Sequence, residues 1–157
     1  MKSLHAKSRD NARTPMQWDD SENAGFTEGT PWIAINENYK TVNVKNEMAD
    51  EDSVLNYYRK LIKIRKEEKA IVHGDFVPLL EDNNEVVAYE RNYGSEKLLI
   101  ICNFYGRDRI IEVEDIDESR DKVKVLISNY KDSDVSPTKI HLRPYEAIIY
   151  KIDRIVL

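Results

Sequence analysis

The sequence is poor in cysteine, glycine and long apolar runs, and each scarcity excludes a class of protein. A single cysteine, Cys102, cannot form an intrachain disulfide framework, which favours a reducing compartment. Five glycines are scattered among turns and form no phosphate-binding loop. No apolar stretch approaches the roughly 20 residues needed to span a bilayer, and the N-terminus lacks the apolar core of a signal peptide. We therefore predict a soluble, cytoplasmic protein without a membrane partner.

Charge and histidine content give little support to two further classes. The formal net charge of −5 is small and unpatterned, so the chain has no basic patch for a nucleic-acid partner. Its three histidines, His5, His73 and His141, are far apart and match no metal-ligand spacing. We therefore predict no nucleic-acid partner, no metal and no other cofactor.

The length of 157 residues allows one compact domain and an appendage. A (β/α)₈ barrel takes about 250 residues, so a complete barrel does not fit in this chain. Residues 1–52 are rich in Asp, Asn, Thr, Gly and Pro and show neither helical nor strand periodicity. Disordered segments rarely contain so many large apolar side chains, so we expect this segment to pack on a surface. The side chains in question are Met16, Trp18, Phe26, Trp32 and Ile33.

A helix is predicted from Ser53 to Lys69, with Asp52 or Ser53 as its N-cap. Basic residues crowd its far end, which suits the helix dipole. Apolar residues recur at helical spacing and form a stripe that needs a partner. They are Val54, Leu55, Tyr58, Leu61 and Ile62.

The remainder of the chain, from Asp75, consists of short β-favouring runs separated by turn residues. The Leu98–Cys102 run is apolar throughout, which predicts a central strand covered on both faces. Together the runs predict an antiparallel β-sandwich of roughly seven strands. They cover Phe76–Leu80, Val86–Tyr93, Lys97–Phe104, Arg109–Val113, Val123–Ser128, Ile140–Leu142 and Ala147–Ile152.

Carboxylates are plentiful, but no glycosidase pair is recognisable among them. A retaining glycosidase holds two carboxyl groups roughly 5 to 5.5 Å apart on rigid elements across a sugar pocket. The adjacent pairs Asp19-Asp20 and Glu81-Asp82 lie in polar turns, where side chains usually point into solvent. We therefore predict that they do not form an acid/base couple.

The most specific string in the chain runs from Ser8 to Asp19, through Arg13-Thr14-Pro15. It closely resembles the segment after the last barrel strand in oligo-1,6-glucosidases, trehalose-6-phosphate hydrolases, glucan glucosidases and sucrose isomerases. These enzymes belong to glycoside hydrolase family 13, the α-amylase superfamily. The resemblance continues through Gly25-Phe26, Pro31-Trp32-Ile33, Asn38-Tyr39, Asn56–Ile62 and Leu142–Ala147.

The resemblance implies two domains. Residues 1–72 would be a remnant of the catalytic barrel, namely the loop after strand eight and the last helix. Residues 73–157 would be the accessory β-sandwich of the α-amylase C-terminal domain type. The implied fold class is mainly β with one α-helix, preceded by an irregular loop. The implied function is that of the C-terminal portion of an α-glucosidase that hydrolyses terminal α-glucosidic bonds in short oligosaccharides.

The resemblance also implies one substrate-binding residue. An arginine matching Arg13 reaches the pocket that holds the terminal glucose, and a guanidinium offers a rigid fan of donors for hydroxyls or a carboxylate. Arg9 is a weaker candidate, since a structural ion pair with Asp10 is the preferred interpretation. The family's catalytic carboxylates lie on earlier barrel strands, so we predict no catalytic residue here and no activity of the chain alone. The implied partners are the missing N-terminal barrel portion and, in the complete enzyme, an oligosaccharide.

Two alternatives stay open at this point. A carbohydrate-binding module would need exposed aromatics on one face of the sandwich, for which Tyr89, Tyr93, Phe104, Tyr105 and Tyr130 are available. A subunit that completes a separately encoded barrel would use the helix stripe and the aromatic loop as its interface. The same apolar surface favours self-association.

Overall fold

A computed structural model describes residues 12–114 and 116–153 of the chain. The chain divides into two compact units, with the boundary between Arg59 and Lys60. The predicted division after residue 72, into a barrel remnant and an accessory domain, stays a prediction. Within the two described ranges, no helix is both long and apolar enough to cross a membrane.

The first unit is mostly irregular but contains one short helix that periodicity did not predict. Two 3₁₀ turns, Glu22–Gly25 and Glu37–Lys40, precede helix α1, Val44–Ala49. The buried Asn43 side chain accepts a hydrogen bond from the backbone N–H of Asn46 (2.9 Å) and donates to the carbonyl of Tyr39 (2.8 Å). The Asn43 cap therefore stabilises the start of helix α1. Six residues are too few to show a helical period, so the sequence pattern did not predict this helix.

The main helix, α2, extends over Val54–Glu67, within the predicted Ser53–Lys69. Ser53 caps it as predicted: its hydroxyl accepts a hydrogen bond from the backbone N–H of Asn56 (3.2 Å). The carboxylate of Glu47 accepts another from the N–H of Leu55 (3.2 Å). These two acceptors satisfy donors that would otherwise be unpaired at a helix start. At Glu68 the backbone becomes extended, and a separate helix α3 follows over Lys69–His73.

Seven strands lie in the described part of the second unit, which agrees with the roughly seven that the sequence predicts. Five form an antiparallel sheet in the order β1-β2-β3-β7-β5, and β4 pairs with β6 in a second, two-stranded sheet. The strands are β1 (Asp75–Leu79), β2 (Val86–Tyr93), β3 (Glu96–Asn103), β4 (Arg109–Glu112), β5 (Lys122–Ser128), β6 (Lys139–Leu142) and β7 (Ala147–Asp153).

Strand β3 is central and covered on both faces, which confirms the interpretation of its apolar run. Leu99 and Ile101 are fully buried in the core that the large sheet shares with Ile111 of β4 and Ile140 of β6. On the opposite face, Leu98 and Ile100 pack with Ala70 of α3. The predicted fold class, mainly antiparallel β with one main helix, is confirmed.

Helix α3 is held on the sheet by charged side chains. The guanidinium of Arg91 donates to the carbonyls of Ala70 (3.3 Å) and Ile71 (3.1 Å) at the helix C-terminus. The ammonium group of Lys151 binds Glu68 (2.6 Å) and Glu96 (3.1 Å). The next residue, Gly74, lies against the carbonyl of Ala70 in α3 and the backbone of Asn92 in β2, so it has no room for a side chain.

Gly74→Ala should therefore destabilise the chain. An added Cβ would lie 2.5 Å from the carbonyl oxygen of Ala70 and 3.0 Å from that of Asn92, and neither backbone atom can rotate away. We expect a loss of about 1 to 3 kcal/mol in the free energy of unfolding, measured by urea denaturation. Gly29→Ala is the control, because its nearest neighbouring atom would be 3.8 Å away. An equal loss in both variants would contradict the close-approach explanation.

Candidate substrate-binding segment

The predicted substrate-binding arginine, Arg13, is exposed in the first unit. Two residues further on, Pro15 is buried, so the chain is anchored directly after Arg13. Arg9 lies outside the described residues. The roles of both arginines in binding stay predictions.

The segment that follows Arg13 is attached to the start of α1. The carbonyl of Gln17 accepts a hydrogen bond from the N–H of Val44 (2.9 Å), and that of Trp18 accepts one from Lys45 (3.0 Å). The side-chain amide of Gln17 donates to the carbonyl of Val42. Arg13 therefore lies only a few residues before a backbone segment, Gln17-Trp18, that is held by hydrogen bonds. This limits the positions that its guanidinium can occupy.

A tight reversal after Trp18-Asp19 requires unusual backbone. Asn23, Ala24 and Gly25 have positive φ values of 52°, 55° and 65° in succession. The N–H of Trp18 donates to the carbonyl of Ala24 (2.9 Å), which closes the reversal. A Cβ on Gly25 would lie 2.9 Å from a carboxylate oxygen of Asp19. Gly25, which belongs to the Gly25-Phe26 pair of the family resemblance, is thus explained by the structure, because its position disfavours any side chain.

Two carboxylates of this segment, those of Asp19 and Asp20, accept hydrogen bonds from nearby donors. The hydroxyl and the N–H of Ser21 both donate to Asp19, which lowers the pKa of that carboxyl. The ammonium group of Lys45 binds Asp20 at 2.9 Å and lowers the pKa of Asp20. Both side chains are therefore ionised at neutral pH and hold the loop together.

The same direction of shift, a lowered pKa, holds for seven described carboxylates. Hydrogen bonds from neighbouring donors lower the pKa in six cases, and in the seventh, Glu146, they outweigh the effect of burial. A glycosidase general acid needs the opposite, a raised pKa that keeps the proton available at neutral pH. The seven carboxylates are Asp19, Asp20, Glu85, Asp117, Glu118, Asp132 and Glu146.

Glu146, inside the Leu142–Ala147 string, is the centre of a buried polar network that sequence reasoning missed. Its side chain is fully buried. The guanidinium of Arg143 donates to both of its oxygens, at 3.0 and 2.9 Å, the N–H of Arg143 donates at 2.8 Å, and the Ser133 hydroxyl donates as well. Burial by itself would raise the pKa of Glu146, but these donors lower it to about 2. This part of the string therefore has a structural role.

The network continues around Arg143. Its guanidinium also binds Asp132 at 2.6 Å and lies 3.9 Å from the centre of the Tyr130 ring. Tyr130 is thus covered by an arginine, and Tyr89 packs against Phe76 with ring centres 5.1 Å apart. Of the five aromatics considered for a sugar-binding array, Phe104, Tyr105 and Tyr93 have exposed side chains.

Among the described residues of the first unit the exposed aromatics are Trp18, Phe26, Trp32 and Tyr58, and Trp32 has 85% of its surface exposed. Among residues 12–114 and 116–153, no group of three or more His, Cys, Asp or Glu side chains is placed to hold a metal ion. Burial raises the pKa of the Cys102 thiol, so this cysteine is held in its uncharged form.

Comparison with known proteins connects both units to one family. Residues 1–74 match the model of the α-amylase catalytic domain, and residues 86–149 match that of the α-amylase SusG C-terminal domain. The oligo-1,6-glucosidase of Halalkalibacterium halodurans is 48% identical over 96% of this chain, and the trehalose-6-phosphate hydrolase of Bacillus subtilis is 41% identical over 96%. The crystal structure of trehalose-6-phosphate hydrolase from Bacillus licheniformis superposes with a TM-score of 0.89, at 46% identity, over 98% of this chain.

The chain spans a small part of each of these relatives. It covers 27% of the length of the two sequence relatives and 28% of the superposed structure. The matched portion carries the C-terminal domain of the relatives. The chain therefore belongs to the α-amylase family of glycoside hydrolases and corresponds to the C-terminal part of its oligo-1,6-glucosidase and trehalose-6-phosphate hydrolase members.

Proposed function

We propose that this chain is the C-terminal portion of a cytoplasmic α-glucosidase that hydrolyses terminal α-glucosidic bonds in short oligosaccharides. The observation that carries the proposal is its 48% identity, over 96% of its length, to an oligo-1,6-glucosidase. The single cysteine, which forms no disulfide, supports a reducing compartment.

The chain is proposed to be inactive by itself and to need the N-terminal barrel portion as its partner. It spans 27% of the length of its relatives, whereas a complete (β/α)₈ barrel takes about 250 residues. The seven carboxylates with lowered pKa values are unsuitable as general acids, because a glycosidase general acid needs a raised pKa. In this proposal, residues 73–157 form the accessory domain that stabilises the barrel.

Arg13 is the residue proposed to reach the sugar. Its exposure, together with the anchor at Pro15 and the pairing of Gln17 with α1, supports a guanidinium presented outward from a fixed base. A planar guanidinium can donate to two sugar hydroxyls at once or orient a carboxylate of the barrel.

Helix α2 supplies the proposed contact surface for the barrel. Val54, Tyr58 and Ile62 recur every four residues and all three are exposed, so they form one apolar stripe along the helix. Such a stripe is covered in a stable protein, either by the N-terminal portion or by a second copy of the chain. We therefore expect the lone chain to self-associate in size-exclusion chromatography. The substitution Tyr58→Glu should abolish this self-association.

The proposal is tested with the chain alone and with a chimera. The chimera joins the N-terminal portion of the Halalkalibacterium halodurans enzyme to this chain, in place of its own C-terminal 27%. We expect release of nitrophenol from p-nitrophenyl α-glucoside by the chimera and none by the lone chain. Hydrolysis by the lone chain would refute its inactivity, and a folded but inactive chimera would refute the assignment. Activity on simple mixing of the two pieces would instead identify a complementing subunit.

Within the active chimera, Arg13→Ala should lower kcat/KM about 30-fold, since a hydrogen bond to a charged group contributes about 1.5 to 3 kcal/mol. Arg120→Ala is the matched control, because the guanidinium of Arg120 is exposed in a turn of the second unit and pairs loosely with Asp117 at 3.4 Å. A loss of activity in Arg13→Ala no greater than in Arg120→Ala would contradict the substrate-binding role.

A further inference from the structure

Two neighbouring loops of the second unit present exposed aromatic rings together. The β3–β4 loop carries Phe104 and Tyr105, which are 63% and 44% exposed. The β6–β7 loop carries Tyr145, which is 64% exposed. The N–H of Tyr145 donates to the carbonyl of Tyr105 (3.1 Å), so the backbones of the two tyrosines are adjacent. We name Phe104, Tyr105 and Tyr145, with Arg107, the loop platform.

Two asparagine side chains, one of them buried, hold the loop platform in place. The side-chain amide of Asn103, which is 3% exposed, donates to the carbonyls of Arg107 (2.8 Å) and Arg143 (2.9 Å) and therefore bridges the two loops. Its oxygen accepts the N–H of Tyr105 at 3.0 Å. On the far side, the amide of Asn129 donates to the carbonyl of Tyr145 at 2.9 Å. Rigid aromatic side chains on a fixed backbone lose little entropy when they bind a ligand.

Tyr145 adopts a backbone conformation that is costly for its residue type. Its φ is +58°, in the left-handed region that glycine and asparagine occupy more easily. Its ring lies over Gly106, where an added Cβ would be 3.0 Å from the phenol oxygen. An exposed ring at a strained position contributes little to a core, and such strain is concentrated at sites that bind or react.

The polar surroundings of the loop platform favour a neutral ligand. Arg107 and Arg109 both pair with Glu85, and Asp108 lies 3.5 Å from His141, so cations and carboxylates balance each other. The guanidinium of Arg107 lies 5.9 Å from the centre of the Tyr105 ring. A flat aromatic face next to hydrogen-bond donors, without excess charge, suits a sugar ring that has one apolar C–H face and a hydroxyl edge.

We propose that the loop platform binds a neutral α-glucan chain by stacking glucose rings on Tyr105 and Tyr145, with hydroxyls accepting hydrogen bonds from Arg107. The choice of an α-glucan rests on the proposed α-glucosidase function, whereas the site itself rests on the exposed rings and their rigid support. The site would hold part of a longer glucan on the second unit.

The test is affinity electrophoresis of the full chain in native gels with and without soluble starch. The chain should be retarded by starch, and its apparent Kd should rise about tenfold in the double variant Tyr105→Ala/Tyr145→Asn. Asparagine at position 145 tolerates the left-handed backbone, so the variant keeps its fold, as thermal unfolding would verify. Tyr93→Ala is the control, an exposed aromatic that packs near His73 instead of on the loop platform.

Equal migration of the unaltered chain with and without starch would overturn the proposal, and so would full retardation of the folded double variant. A loss of retardation in Tyr93→Ala as large as in the double variant would also refute the assigned location. Binding is measured on the lone chain and hydrolysis on the chimera, so the two proposals fail separately. An inactive chimera with a starch-binding chain would reject only the α-glucosidase assignment.

Discussion

Glu146→Gln is expected to lower the free energy of unfolding by about 2 to 3 kcal/mol at pH 7. The glutamine keeps the size of the side chain but loses the charge that three donors of Arg143 and the Ser133 hydroxyl surround. Its amide group would also direct hydrogens towards some of those donors. The Arg143 guanidinium would remain, partly buried, without its main anion.

The contribution of Glu146 should depend on pH in one direction. Its folded pKa of about 2 lies below the usual value of 4.5, so the folded chain binds a proton less readily than the unfolded chain. The stabilisation is therefore complete above pH 4.5 and is lost progressively as the pH falls from 4.5 to 2. In the Gln variant this part of the pH dependence should be absent.

Urea denaturation of both proteins from pH 2 to 7 provides the measurement. Asp132→Asn is the matched control, since Asp132 binds the same arginine at 2.6 Å but is 82% exposed. Its loss should stay below about 1 kcal/mol because solvent screens an exposed pair. A larger loss in Asp132→Asn than in Glu146→Gln would show that burial does not set the strength of this network.

Lys97→Met is expected to have the largest effect, about 3 to 5 kcal/mol of lost stability. The ammonium group of Lys97 lies 2.6 Å from the carboxylate of Glu90, and the two side chains are 8% and 9% exposed. They bridge β2 and β3 on the face that contains the core. Without Lys97, the buried carboxylate of Glu90 would lose its cation and keep the side-chain amide of Asn92, at 3.2 Å, as a donor.

The double variant Glu90→Leu/Lys97→Met separates the attraction between the two charges from the cost of burying them. Replacing both partners of a buried ion pair by apolar side chains is often neutral or stabilising, so the double variant should recover most of the loss. Chemical denaturation of the two single variants and the double variant gives the coupling energy. Lys139→Met, which removes an exposed pair with Glu112 at 3.6 Å, should change stability by less than about 1 kcal/mol. No recovery in the double variant would contradict this account.

Much of the fold was predictable because it depends on local patterns. Strand β2 begins and ends at the predicted residues, and β3 differs by one residue at each end. The continuous apolar run in β3 identified the central strand, because only a strand covered on both faces needs apolar residues at every position. The Ser53 cap and the apolar spacing likewise predicted the start of α2.

Other features escaped prediction because they depend on long-range contacts or on very short elements. Helix α1 is six residues long and is fixed by Asn43, whose partners lie within four residues but carry no periodic signal. Helix α3 separates from α2 at Glu68, where the carboxylate binds Lys151, 83 positions away. A sequence pattern does not contain that pairing.

The candidate sites likewise divide into those that a contiguous sequence motif predicted and those that depend on long-range contacts. The Arg13-Thr14-Pro15 string is a contiguous signal, so the sequence alone determined the family, the position of the candidate arginine and the order of helix and strands. The tertiary structure alone decided that Glu146 is a buried anion, that Glu90 and Lys97 pair, and that the backbones of Tyr105 and Tyr145 are hydrogen-bonded neighbours. Burial and pairing depend on the packing of strands that are distant in the chain, and Asn103 joins its loop to Arg143 across 40 positions. The preference for helix or strand depends on the local sequence. The surroundings that shift a pKa or leave a ring exposed form only when the strands have assembled.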